Sequence, residues 1–250
     1  MRIRLKCLTA IACASLAANS HAVGIAGQGT WENTLQARDL DGNSANGPEA
    51  FYDTTLNITW LRSGSEHEMN WSAAKSWAEQ SHFGIGGWRL PTMTDTNAPG
   101  CDYLRTGGTD CGYNVQTKSG VLDKYESDQI VYSEIAHLFH VTLGNKSFYE
   151  PGSGSSSQPG WDLRNTGDFQ NLRSTNWIGV ANAAEPWRRW AFNLFSGEQL
   201  TSNSGNSGYG LAVYAGDVRP AVPEPHTYAL MLSGLALLAG LTRRFSNLRK

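Results

Sequence analysis

The sequence predicts an α+β fold: a mixed or antiparallel sheet, two helices and long loops, followed by a single C-terminal transmembrane helix. Three observations point there. Nine Trp, nine Tyr and eight Phe beside 27 Gly in 250 residues describe a core of large aromatics joined by many turns, which disfavours a helical bundle. Strand-like runs lie at the start and in the last third, with helical periodicity only between them. Hydrophobic residues at 40% and charged residues at 17% describe one or at most two globular domains.

Arg38 to Asn43 opens the body as an acidic, turn-rich segment. Phe51-Tyr52-Asp53 and Leu56 to Leu61 read as two short strands around Thr54-Thr55. Asn70 is placed to cap a helix from Trp71 to about Gln80, with Trp71, Ala74 and Ala78 on one face and Gly84 as its stop. Trp88 to Thr92 follows as a compact loop, and residues 95–120 form a loop rich in Gly, Asp and Thr. A second helix is predicted from about Ser127 to Leu143, with Val131, Ile135, Leu138 and Phe139 as its apolar stripe and Gly144 as its end. Residues 150–160 are a low-complexity Ser/Gly loop. Strands return at Trp177 to Val180, at Trp190 to Phe195 before a Ser196-Gly197 turn, and from Gly210 to Tyr214, continuing to Val218-Arg219-Pro220.

The two ends are addresses. Arg2, Arg4 and Lys6 precede an apolar stretch, Cys7 to Ala18, that is too short to span a bilayer, and Ser20-His21-Ala22 supplies the small residues a signal peptidase reads. Residues 1–22 are therefore expected to be a secretory signal peptide. At the other end Val222-Pro223-Glu224-Pro225 precedes an uncharged run from Thr227 to Leu241, then Arg243, Arg244, Arg249 and Lys250. Fifteen helical residues cover about 22 Å of a hydrocarbon core about 30 Å thick, a marginal span. The cations after it predict a cytoplasmic tail and an exported body. Pro223 and Pro225 keep the segment before it extended and open to a protease. A Pro-Glu-Pro, a short apolar helix and an Arg-rich terminus in a secreted chain resemble the PEP-CTERM sorting signal. That resemblance implies cutting near the motif by a membrane peptidase, exosortase, in a Gram-negative bacterium that makes exopolysaccharide. It also implies transient anchoring in the inner membrane before release to the cell surface or beyond. Signal peptidase and exosortase are the expected processing partners.

Four cysteines are present, and Cys7 and Cys13 fall in the signal peptide. Cys101 and Cys111 remain, and an oxidising compartment favours a disulfide between them over a redox pair or two metal ligands.

A second resemblance spans residues 50–220, between an N-terminal segment 23–49 and the sorting signal 221–250. Phe51-Tyr52-Asp53, Ile58-Thr59-Trp60, Trp71-Ser72-Ala73-Ala74, Gly87-Trp88-Arg89-Leu90-Pro91-Thr92, Glu134 to Leu138 and Val218-Arg219-Pro220 are together similar to the DUF1566 (Lcl C-terminal) family. The resemblance implies a C-type-lectin-like fold and gives no defined activity. Trp88, Arg89, Leu90, Pro91, Arg219 and Pro220 would be its structural motif. Where the family carries a Tyr-Trp-Ser-Ser type segment this chain has Asn176-Trp177-Ile178-Gly179, so no role of those serines transfers.

Chemistry-bearing patterns are sparse. His137 and His140 share a helical face opposite the apolar stripe and are predicted to face solvent; with His67 and His82 unplaced, no zinc site is expected. Asp39, Asp41 and Asn43 match the first ligands of an EF-hand loop, but Ser44 and Ala50 stand where Gly and Glu are needed. An acidic turn is the expectation and a loose Ca2+ site the alternative; no other cofactor is expected. Glu185-Pro186-Trp187 lacks the Asn of a lectin sugar loop. Trp161, Trp187 and Trp190 are candidates for stacking on sugar rings, with core packing as the competing role. No nucleophile elbow, zincin motif or P-loop occurs, so no catalytic residue is assigned.

Formal charge is −2 overall. Without the two addressing segments 13 basic residues face 21 acidic ones, about −8, and all nine Trp stay in the body. That removes the electrostatic footprint of nucleic-acid binding. The expected function is an exported, non-catalytic module binding polysaccharide or other matrix components; the alternatives are a secreted enzyme on a scaffold like the formylglycine-generating enzymes, or a purely structural matrix protein.

Overall fold

A computed structural model describes residues 24–97, 110–115, 133–150, 156–219 and 231–235. Its body combines few, short helices with two antiparallel sheets. The first five elements are a helical turn α1 (Trp31–Thr34), strands β1 (Leu35–Arg38), β2 (Ala50–Asp53) and β3 (Ile58–Leu61), and helix α2 (Trp71–Ala78). They are followed by β4 (Trp88–Arg89), β5 (Gly112–Tyr113), α3 (Glu134–His137), and strands β6 (Thr175–Ala181), β7 (Arg188–Asn193), β8 (Glu198–Asn203) and β9 (Val213–Ala215). One sheet runs β1-β2-β3-β9-β4 and the other β5-β8-β7-β6.

The first hairpin pairs Phe51 with Trp60 and Asp53 with Ile58. Asn57, at φ 52°, closes its turn, a conformation Asn tolerates better than most residues. Residues 24–49, read from sequence as a segment before the domain, add β1 to the edge of this sheet through Leu35–Asp53 to Arg38–Ala50. Asn165 fastens the same segment to the interior: its Oδ1 accepts from Ile25 N at 2.8 Å and its amide donates to Gln28 O at 3.0 Å and Leu143 O at 2.8 Å.

Helix α2 follows its predicted start. The Asn70 side chain accepts from Ala73 N at 2.9 Å, and Ala74 and Ala78 are buried. Its end differs, because the helix stops at Ala78 and Gly84 instead belongs to a separate two-residue turn closed by His82 and Ile85.

The second helix is shorter than predicted. Among the described residues it starts at Glu134, capped by Ser133, whose Oγ accepts from Ala136 N. Leu138–Thr142 continues it as a π turn with Leu143 N donating to Leu138 O at 2.8 Å. Residues 127–132 lie outside the described part. The expected solvent face does not exist: Glu134 to Phe139 are all buried. Ile135, Leu138 and Phe139 share one core with Phe51 and Trp60 of the first sheet and Ile178, Trp190 and Phe192 of the second. A helix packed against both sheets has little polar side, so His137 is an interior residue and His140 is partly buried.

A second core holds Ala74, Ala78, Trp88, Leu90, Trp177 and Val218, with α2 tied across it. Trp71 Nε1 donates to Ile178 O at 2.8 Å and Trp177 Nε1 to Met69 O at 2.9 Å. The predicted Trp177, Trp190 and Tyr214 regions are strands. Strand β8, with Gln199 paired to Phe192, went unread because Glu198-Gln199-Leu200-Thr201-Ser202-Asn203 is largely polar.

Within the predicted membrane span only residues 231–235 are described. They are helical and expose Met231, Leu232 and Leu235. Among the described residues no helix is long and apolar enough to cross a membrane.

Candidate functional site: a mixed aromatic and polar cleft

A cavity of about 570 Å³ opens beside α2, within the size range of small-ligand sites. Three segments build it. The β1–β2 loop brings Asp41, Asn46 and Glu49, the end of β3 and the chain after it bring Arg62, Ser65 and His67, and α2 with its following turn brings Trp77, His82 and Phe83. Gln170 closes the floor from the chain before β6.

The polar wall is fixed by its own hydrogen bonds. Asp41 accepts from Asn43 N at 2.7 Å and from Asn46 Nδ2 at 2.8 Å, and these bonds, the Asn46 one first, hold its carboxyl below the usual carboxylate range. Glu49 is buried and accepts from Leu40 N at 2.7 Å. Arg62 donates to Pro48 O at 3.1 Å and Asp168 O at 3.3 Å, so backbone carbonyls aim its guanidinium.

Aromatic residues share the lining. Trp77 and His82 meet edge to face at 5.3 Å, and His82 meets buried Trp88 at 5.8 Å. His82 Nε2 donates to Trp77 O at 3.2 Å, and burial lowers its pKa, keeping the ring neutral near pH 7. Phe83, by contrast, is 48% exposed.

The structure gathers the sequence-predicted residues only in part. Asp39 and Asp41 come together with Glu49, ligand oxygens within 4.8 Å of one another. A cation could be met by such oxygens, yet the loop itself engages them: Asp39 accepts from Gly42 N, Glu49 from Leu40 N, and Asp41 with both oxygens, from Asn43 N and from Asn46 Nδ2. Asn43 Oδ1 turns to Ala45 N at 3.3 Å.

Of the sugar-stacking candidates, none lines the cleft. Trp190 is buried and donates to Asp95 Oδ2 at 2.8 Å; Trp161 packs edge to face on Phe148 at 4.7 Å; Trp187 alone is well exposed, at 62%. Trp88, Leu90 and Pro91 are buried, and Arg89 forms a two-pronged ion pair with Glu134, both bonds 2.8 Å. Glu134 also accepts from Thr92 N at 2.7 Å, so this string ties β4 to the start of α3. Arg219 is exposed and shares Asp217 with Arg38. Cys111 is buried; Cys101, Pro220 and Val222, Pro223, Glu224 and Pro225 lie outside the described residues.

His137 is buried and His140 is partly buried with its Nε2 enclosed, and no hydrogen-bond partner for His137 Nδ1 or Nε2 or for His140 Nε2 occurs among the described residues. Burial pushes both down to about 4, and the nearby charge of His140 adds to the effect on His137. Both are neutral at pH 7 and act as packing groups, His140 against the rings of Phe139 and Phe192.

The cleft residues Glu49, Arg62, Trp77, His82 and Phe83 were not identified from sequence. The available signal was Phe83-Gly84, an aromatic in a tight turn where Asn would be the ordinary residue.

No curated protein and no solved structure is significantly similar to the chain, and no DUF1566 or C-type-lectin-like family model matches its body. Residues 221–247 match the PEP-CTERM protein-sorting motif, which implies an exported protein that transits the membrane and is processed by an exosortase.

Proposed function

We propose that the chain is displayed at the cell surface or in the extracellular matrix, and that its body is a non-catalytic module binding polysaccharide or other matrix components. The observation that carries the reading is the sorting motif at residues 221–247, joined to a body that presents an open cleft lined by both aromatic and polar residues. The scaffold is read as DUF1566-like on its motif residues: the Trp88-Arg89-Leu90-Pro91 string buries Trp88 and Leu90 and couples Arg89 to Glu134, a structural use of those residues. No cofactor is assigned to it, with Ca2+ at Asp39 and Asp41 as the one variable to control.

The test is retention of the protein, purified from its host, on that host's exopolysaccharide, with and without added Ca2+. Retention is expected. Release of shortened polymer would make the body an enzyme, and no retention under either condition would remove the binding role.

A further inference from the structure

Phe83 combines three properties that do not serve folding. It occupies the first central position of a two-residue turn, closed by His82 N to Ile85 O at 3.1 Å and Ile85 N to His82 O at 3.0 Å. Its φ is 54°, followed by Gly84 at 77°. Turns of this kind favour Asn-Gly because both central residues need positive φ, and a bulky side chain there is strained. Burial does not offset the strain, since the ring is 48% exposed. Phe83 lines the cleft together with Trp77 and His82. A strained, exposed aromatic at the mouth of a cavity is what a ligand-binding surface retains and a purely structural one loses.

The polar residues lining the same cavity define the chemistry of the occupant. Asp41, Asn46, Arg62 and Gln170 offer planar carboxylate, amide and guanidinium groups, the donors and acceptors that pair with vicinal hydroxyls. The apolar face of a pyranose ring fits against an aromatic while its hydroxyls point outward to such groups. Charge narrows the class further. Three carboxylates, Asp41, Glu49 and Glu66, line the cleft against the single guanidinium of Arg62, and Asp39 adds a fourth beside them. A uronate or sulfated chain would meet net repulsion.

We propose that this cleft binds a short run of uncharged sugar rings, one of them stacked on Phe83, with hydroxyls bonded to the Asp41, Asn46, Arg62 and Gln170 side. The proposal rests on the binding-module reading and gives it a site and a saccharide class.

The test measures binding of cello-, manno- and malto-hexaose, and of hexagalacturonate, to the intact protein and to Phe83→Asn and Phe83→Tyr by calorimetry, alongside thermal melting. At least one neutral hexaose should bind and hexagalacturonate should not. Phe83→Asn should weaken binding at least tenfold while raising the melting temperature, because Asn accepts positive φ; Phe83→Tyr should keep the affinity within about threefold. Failure of all three neutral hexaoses to bind, preference for the galacturonate, or undiminished binding by Phe83→Asn would overturn the assignment. The same variants on host exopolysaccharide separate the two claims: equal retention of wild type and Phe83→Asn removes the cleft but leaves the binding module, and no retention of either removes both.

Discussion

The single most consequential side-chain pair outside the cleft is Arg89 with Glu134. Glu134 ends two guanidinium bonds and the Thr92 N–H, and with a side chain only 10% exposed its removal strands all three donors in partly dry surroundings. The pair also holds the Arg89 guanidinium above its usual range, through the Glu134 hydrogen bonds first. Glu134→Ala is expected to lower unfolding stability by about 2–4 kcal/mol, read by urea denaturation, and a loss within experimental error of zero would show that the latch contributes nothing. His137 and His140 give the molecule a pH dependence. Both titrate near 4 when folded and near 6.5 when unfolded, so unfolding takes up protons between those values. Stability is complete above about pH 6.5 and falls as pH drops towards 4, by on the order of 3 kcal/mol for each ring. Asp53 and Glu198, pushed up by burial, act in the opposite sense at the acidic end. Denaturant midpoints between pH 7 and 4 should slope downward, less steeply in His137→Leu; a flat profile in the wild type would contradict the burial of neutral rings.

Of the two helices read from sequence, α2 was the more legible and α3 the less. Asn70 before Trp71 is a capping signal with a local mechanism, and the bond to Ala73 N realises it. Asn70→Ala should cost about 1 kcal/mol, and because α2 carries Trp77 into the cleft, the same variant should weaken saccharide binding without touching the ligand. Unchanged affinity together with the stability loss would show that the cleft tolerates a loosened helix. For α3 the apolar stripe at Ile135, Leu138 and Phe139 was real, but the assumption that its other face meets water was false. Periodicity reports which residues are apolar; it does not report how many sheets surround a helix. The short strands β4 and β5, two residues each, carry too little pattern to be read at all, and β8 was hidden by polar residues that nevertheless pair fully with β7.

At the scale of the whole molecule the sorting motif implies export, membrane transit and processing by an exosortase. Replacing Pro223-Glu224-Pro225 by three alanines should leave a longer form held in the membrane fraction, detected by its size and by fractionation of the host. A variant of normal size, released normally, would show that processing does not use the motif. Delivery and folding are carried by separate stretches of chain, so this variant should not alter the melting of the body.

The sequence by itself determined the address of the protein, the first hairpin, the helix capped by Asn70 and the acidic, tryptophan-rich character of the body. Each of these rests on contiguous residues whose effect is local: a charge run, a proline pair, a capping side chain, an alternating strand. Only the tertiary structure decided that His137 is interior, that residues 24–49 complete a sheet, that Glu134 belongs to Arg89, and that Trp77, His82 and Phe83 line one cleft with Asp41, Asn46 and Arg62. Those facts depend on pairing between segments up to about a hundred residues apart, and no local pattern encodes which distant segment a side chain will meet.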